Sequence, residues 1–245
     1  MRAFNTIKPK SGSAAPLFLF GDHASARIPD TYKNLGLSGD DLTRHIAVDI
    51  GTDSLIRDLC ARFGCAGHLA AVSRLVIDCH RDPDAAGLIP PISDGTHIPG
   101  NSNITPAERA RRIADIHAPY HAGLTRALDA VTARAVDPLI VSVHSFTPQL
   151  KTGGPRRTLD IGLLCKGDMQ SAQAMRDILR AQSPDMQIDL NRPYSAFEYY
   201  YTVDVQVMPR GLRHLVFEIR QDLIDTDLKI GVISGVLENA LRALI

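Results

Sequence analysis

The chain has no tryptophan, and only four of its 245 residues are cysteine. Cys60, Cys65, Cys79 and Cys165 form no CxxC pair, which excludes a zinc ribbon or a thioredoxin-like redox motif and leaves core thiols in a reducing compartment. Net charge is also missing: 27 Lys plus Arg balance 27 Asp plus Glu. Without a basic stripe, nucleic acid is not expected as a partner. The longest early apolar run, 16–20, is too short for a signal-peptide core or a membrane span, so a cytoplasmic protein with no membrane partner is expected. No repeat, low-complexity segment, HExxH or GxSxG motif occurs. What the chain has is bulk, with 44% hydrophobic residues. That suffices to bury the core of one domain over 16–245, after a polar lead-in over 1–15 that reads as flexible.

Strand-like and helix-like segments alternate, which predicts an α/β layer fold with a parallel or mixed sheet. Strands are expected at 17–20, 66–72, 74–79, 139–143, 158–164 and 215–219. Helices are expected over 40–47, capped by Ser38, and over 53–62, capped by Thr52 and stopped at Gly64. A further helix opens on the capping box Thr105-Pro106-Ala107-Glu108 and runs to about 134 with a break near Pro119; two more cover 172–181 and 228–244. Residues 80–104 show no hydrophobic period, are rich in Pro, Gly and Asp, and read as an ordered active-site loop.

Three apolar runs each deliver a polar residue at or near their end: His23 after PLFLFGD, His144 in PLIVSVHSF and Glu218 in HLVFEIRQD. Two imidazoles and a carboxylate at one sheet edge suit a metal-dependent hydrolase, with nitrogen ligands holding zinc and a carboxylate taking the proton of its water. A third ligand is needed. Asp49 in HIAVDIGTD is the preferred candidate, with helix capping as its alternative; Asp22 is a second candidate. Glu218 reads as general base, or else as half of a buried ion pair with an arginine. Arg74 and Arg81 flank SRLVIDCHR; Arg81, beside His80 at the mouth of the long loop, reads as a carboxylate clamp. His117 and His121 have helical ligand spacing, with a surface pair as the plainer reading, while His45, His68, His97 and His214 look structural.

The segments GDHAS, HIAVDIGTD, SRLVIDCHRDP, SDGTHIPGN, PYH, VSVHSFTP, NRPYS and FEIRQDLI resemble, in consistent order over about 17–226, the N-formylglutamate amidohydrolase family. The resemblance implies a three-layer α/β/α fold with a central mixed sheet, like that of zinc carboxypeptidases and aspartoacylases. It implies hydrolysis of N-formyl-L-glutamate to formate and glutamate, a late step in one route of histidine degradation, with one zinc ion per chain. Carried over by position, it makes His23 and His144 metal ligands with Asp49 beside them, Glu218 the catalytic carboxylate, and Arg81 the holder of the glutamyl carboxylate. Arg74 would stabilise the oxyanion, and His80 and Ser145 would contact substrate. Two positions depart from the family pattern: His80 stands where asparagine is usual, and Gln206 where a histidine is expected. The partner is then a small N-acyl amino acid. Two alternatives stay open, a zinc deacylase for another N-acyl amino acid or short peptide, and a non-catalytic carboxylate-binding sensor.

Overall fold

The computed structural model describes residues 1–245. Nine strands and seven α-helices follow in chain order: β1 Phe4–Ile7, β2 Leu17–Gly21, α1 Gly39–Leu42, α2 Thr52–Phe63, β3 Ala66–Ala70, β4 Ile92–Ser93, β5 Thr96–His97, α3 Pro106–Arg112, α4 Ala118–Thr132, β6 Leu139–Phe146, β7 Ile161–Leu164, α5 Met169–Gln182, β8 Ile188–Leu190, α6 Tyr201–Gln206, β9 His214–Arg220 and α7 Asp227–Leu244. Seven strands form one mixed sheet in the order β1-β3-β2-β6-β9-β7-β8, and β4 and β5 form a separate hairpin. At the centre β3, β2, β6 and β9 run parallel, while β1 and the β7-β8 pair run antiparallel to them.

Strand periodicity sorts the core into two layers. Leu17 and Leu19 of β2, Val141 and Val143 of β6, and Phe217 and Ile219 of β9 pack with Leu55, Leu59, Ile233 and Leu237 of α2 and α7. The residues between them, Phe18, Phe20, Ile140 and Val216, face the other way against Tyr120, Leu124 and Leu128 of α4. Successive side chains of a strand point to opposite faces, so a strand buried on both sides reads as an unbroken apolar run. This is the expected three-layer α/β/α arrangement with a mixed sheet. His144 and Glu218 share the parity of Ile140 and Val216, and the two are register partners across β6 and β9.

Several expected elements differ. The lead-in is not structureless throughout, because Phe4–Ile7 pairs antiparallel with β3 and the Phe4 ring lies 4.6 Å from that of His68. The run 74–79 is no strand: Leu75, Val76 and Ile77 are buried in turns, where the Ser73 carbonyl accepts from Val76 N–H and Asp78 Oδ1 from His80 N–H. β-branched residues mark burial here without strand pairing. The helix expected over 40–47 is the single turn α1, capped by Ser38. At α2 the cap is Gly51, not Thr52, which is the first helical residue. No break occurs at Pro119; a five-residue π-helical stretch over Ile113–His117 joins α3 to α4, widening the path upstream of a residue with no N–H to donate.

Candidate metal centre

The eight residues singled out from sequence, His23, Asp49, Arg74, His80, Arg81, His144, Ser145 and Glu218, all line one cavity of about 400 Å3. His23 follows β2, His144 and Ser145 lie in β6 and Glu218 in β9, so the cavity opens at the carboxyl edge of the parallel centre of the sheet. Asp49 arrives from the turn before α2. That turn needs Gly51 in the left-handed region, at φ 83°, and a Cβ there would fall on the carbonyl oxygen of Ile224. Asp49 does not cap α2. Its side chain turns inward instead, with Oδ2 3.2 Å from His23 Nδ1 and 2.9 Å from His144 Nδ1.

The opposite edge of each imidazole also meets a carboxylate. His23 Nε2 lies 2.7 Å from Asp78 Oδ1, and His144 Nε2 lies 3.5 Å from Asp22 Oδ2. To donate at both edges each ring must carry a second proton. Burial disfavours that charge, and Arg74 opposes it at His23, yet Asp78 and Asp49 still raise His23 above its ordinary pKa. At His144 burial is likewise overcome, by the nearby carboxylates of Asp22 and Asp49. A dication held by His23, His144 and Asp49 would remove the need for those protons: each ring would ligate through one nitrogen and donate N–H to a carboxylate through the other, the usual arrangement around ligating histidines. The donor set therefore fits a divalent metal, and two imidazoles with one carboxylate suit zinc.

Arg74 is committed within this cluster. Its guanidinium donates to Asp49 Oδ1 at 3.2 Å and to Asp78 Oδ2 at 3.0 Å, neutralising the carboxylates beside both ends of His23. The Ser145 hydroxyl donates to the Ile50 carbonyl and holds the turn that carries Asp49. Glu218 is buried with Oε2 unpartnered, and burial, helped by the charge of Asp49, lifts its pKa to about 7 despite His144. A carboxyl group poised near neutrality can both accept and return a proton.

The long loop after His80 holds 3-10 turns and the β4-β5 hairpin, and it lines the cavity through Arg81, Ser93 and Asp94. At the hairpin tip Asp94 accepts from Arg44, the Thr152 hydroxyl and the amides of Lys151 and Thr152, fastening the 147–157 segment over one side of the cavity. That segment supplies Arg157, which donates to Tyr194 Oη. Arg81 lies over the Tyr199 ring, 4.7 Å from its centroid. Sequence reasoning gave no role to Asp94, Arg157, Tyr194, Tyr199 or Asp78. For Asp78 a signal existed, an acid closing the apolar run LVI two residues before His80. His117 and His121 stay apart from the cavity lining and donate to the carbonyls of Arg81 and Cys79. Gln206 also lies outside it, between Thr125 and His121, so of the two departures from the family pattern only His80 reaches the site.

The sequence profile of the N-formylglutamate amidohydrolase family matches residues 15–225. The chain belongs to the N-formylglutamate amidohydrolase family. Within solved structures it is similar to gene product Atu2144 from Agrobacterium tumefaciens, at 31% identity and a TM-score of 0.88 over 99% of this chain and 96% of that one. It is also similar to an N-formylglutamate amidohydrolase from Ralstonia eutropha JMP134, at 22% identity and a TM-score of 0.70 over 100% and 97%. No curated protein matches. Membership of the N-formylglutamate amidohydrolase family makes this chain an enzyme, a hydrolase acting on amides. No helix is long and apolar enough to cross a membrane.

Proposed function

We propose that the chain is a zinc-dependent amidohydrolase that cleaves N-formyl-L-glutamate, or a closely related N-acyl amino acid, to formate and the free amino acid. The observation carrying this reading is the buried convergence of His23 Nδ1, His144 Nδ1 and Asp49 Oδ2 beside Glu218. His23, Asp49 and His144 would hold the ion, which when bound supplies Lewis acidity and brings the pKa of water to roughly 7. Glu218 takes the proton of the attacking water and returns it to the departing nitrogen, a double role that suits a buried carboxyl group with one oxygen unpartnered in the cavity wall. Arg74 keeps Asp49 and Asp78 ionised and adds positive charge to the wall where the oxyanion develops. Arg81, half-buried and stacked on Tyr199, clamps the substrate carboxylate, with His80 and Ser145 on the adjoining wall.

The test is formate release from N-formyl-L-glutamate by zinc-loaded protein, with chelator-stripped protein and N-acetyl-L-glutamate run in parallel. Metal-dependent formate release is the expected result. Turnover of the acetyl compound alone would transfer the reading to a deacylase of larger acyl groups, and silence from folded, loaded protein with both would overturn it.

A further inference from the structure

We propose that Asp22 is a positioning residue that holds the metal-ligand edge of the site and its substrate wall in one register. It orients His144 directly and His80 through the hydroxyl of Thr202. The inference rests on the zinc reading above and goes beyond it, since Asp22 touches neither the cavity nor the ligand atoms that converge on Asp49.

Asp22 is 1% exposed and follows the last residue of β2, adjacent to His23. Its Oδ1 accepts from Tyr120 Oη at 2.7 Å and from Thr202 Oγ1 at 2.9 Å. Thr202 spends its only proton on Asp22, so toward His80 Nδ1, 3.0 Å away, its oxygen must accept. His80 Nδ1 therefore carries the proton, and its ring is pinned along that edge while the residue lines the cavity. His80 Nδ1 also lies 3.1 Å from Asp22 Oδ2, within reach of the same negative charge. Asp22 Oδ2 and His144 Nε2 face each other across 3.5 Å, and both are buried with no hydrogen-bond partner. Two orphaned buried atoms of opposite character, 3.5 Å apart, mark the place where the N–H of a ligating imidazole is received.

Asp22, His80 and His144 also form a group able to take a cation themselves. His144 has two ring nitrogens, and its Nδ1 already faces Asp49 and His23. With Nδ1 ligating, Nε2 must bear the proton, which makes Asp22 an acceptor for His144, as Asp78 is for His23. The two imidazoles of the centre are thus each backed by a carboxylate, one of which reaches on to the substrate wall.

The experiment measures the zinc dissociation constant by chelator competition, together with KM and kcat for N-formyl-L-glutamate, in full-length wild type, Asp22→Asn, Thr202→Val and His144→Ala. Asp22→Asn is expected to weaken zinc binding by about 10–100-fold. Thr202→Val is expected to leave zinc affinity unchanged and raise KM by about fivefold, the loss of one hydrogen bond. Folded Asp22→Asn with wild-type zinc affinity overturns the proposal, provided His144→Ala has lost the metal. If His144→Ala retains zinc, the metal reading itself fails. Should Asp22→Asn not fold, Thr202→Val decides: an unchanged KM overturns the coupling, and a KM effect at constant zinc affinity supports it.

Discussion

In the proposed reaction Glu218 carries both proton transfers. Its Oε2 is buried and unpartnered, and burial on an apolar strand, with the charge of Asp49, lifts its pKa to about 7 against the opposing pull of His144 across the ladder. Glu218→Gln keeps the shape and removes the ability to shuttle a proton. The expected outcome is a fall in kcat of roughly 10²–10⁴-fold with an unchanged zinc dissociation constant, and near-wild-type turnover would remove Glu218 from the mechanism. The proposed role of Arg81 is different, in binding. Replacing it with Gln removes the charged fork while keeping length, so KM should rise about 10–100-fold with kcat changed little, as expected where ground state and transition state are held alike. Steady-state kinetics on the zinc-loaded variant separate the two outcomes, and a collapse of kcat at constant KM would assign Arg81 to the reacting atoms.

At the scale of elements, the turn before α2 decides whether Asp49 reaches the histidines. Gly51→Ala asks an L-residue to hold φ 83° and places its Cβ on the Ile224 carbonyl oxygen, so either the turn or the 221–224 turn must move. A loss of about 1–3 kcal/mol in stability is expected, with weaker zinc binding in the same variant, read by denaturant titration and chelator competition. Unaltered zinc affinity would mean that the turn does not position Asp49. The central strands were legible because β2, β6 and β9 are buried on both faces and announce themselves as apolar runs, with His23, His144 and Glu218 as exceptions at or near their ends. β1 was not: four residues with Asn5 and Thr6 among them carry no such pattern, and pairing with β3 alone makes them a strand. The run 74–79 misled for the converse reason, since Leu75, Val76 and Ile77 are buried by the chain around them without a ladder. The turn at Ser73 to Asp78 in its place is what lets Arg74 and Asp78 join hands and reach His23, a geometry that no spacing rule encodes.

The whole molecule balances its formal charge; Asp22, His23, Asp49, Asp78, His80, His144 and Glu218 are buried together at the cavity end of the sheet, while His68 and His121 are buried in the α4 layer. Among the latter, His68 on β3 is fully buried, donates Nε2–H to the Tyr120 carbonyl and has no partner at Nδ1. Burial pushes its pKa down to about 4, with only partial relief from the Tyr120 carbonyl and Asp22. His121 is driven to about 4 as well, chiefly by burial and by neighbouring His117. The folded state binds these protons less readily than the unfolded chain, whose histidines titrate near 6.5. Their contribution to stability is therefore complete above pH 6.5, shrinks as pH falls below it, and is gone below about 4. His23 and His144 titrate in the opposite sense when metal-free, so the slope of the wild type alone is a composite. His68→Leu isolates one member of it: the stability difference between wild type and variant, from urea midpoints at pH 7, 6 and 5, should move in favour of the variant as pH falls. A difference that stays constant over that interval would show that His68 takes up its proton without cost, and that the α4 layer opens to water where the structure has it closed.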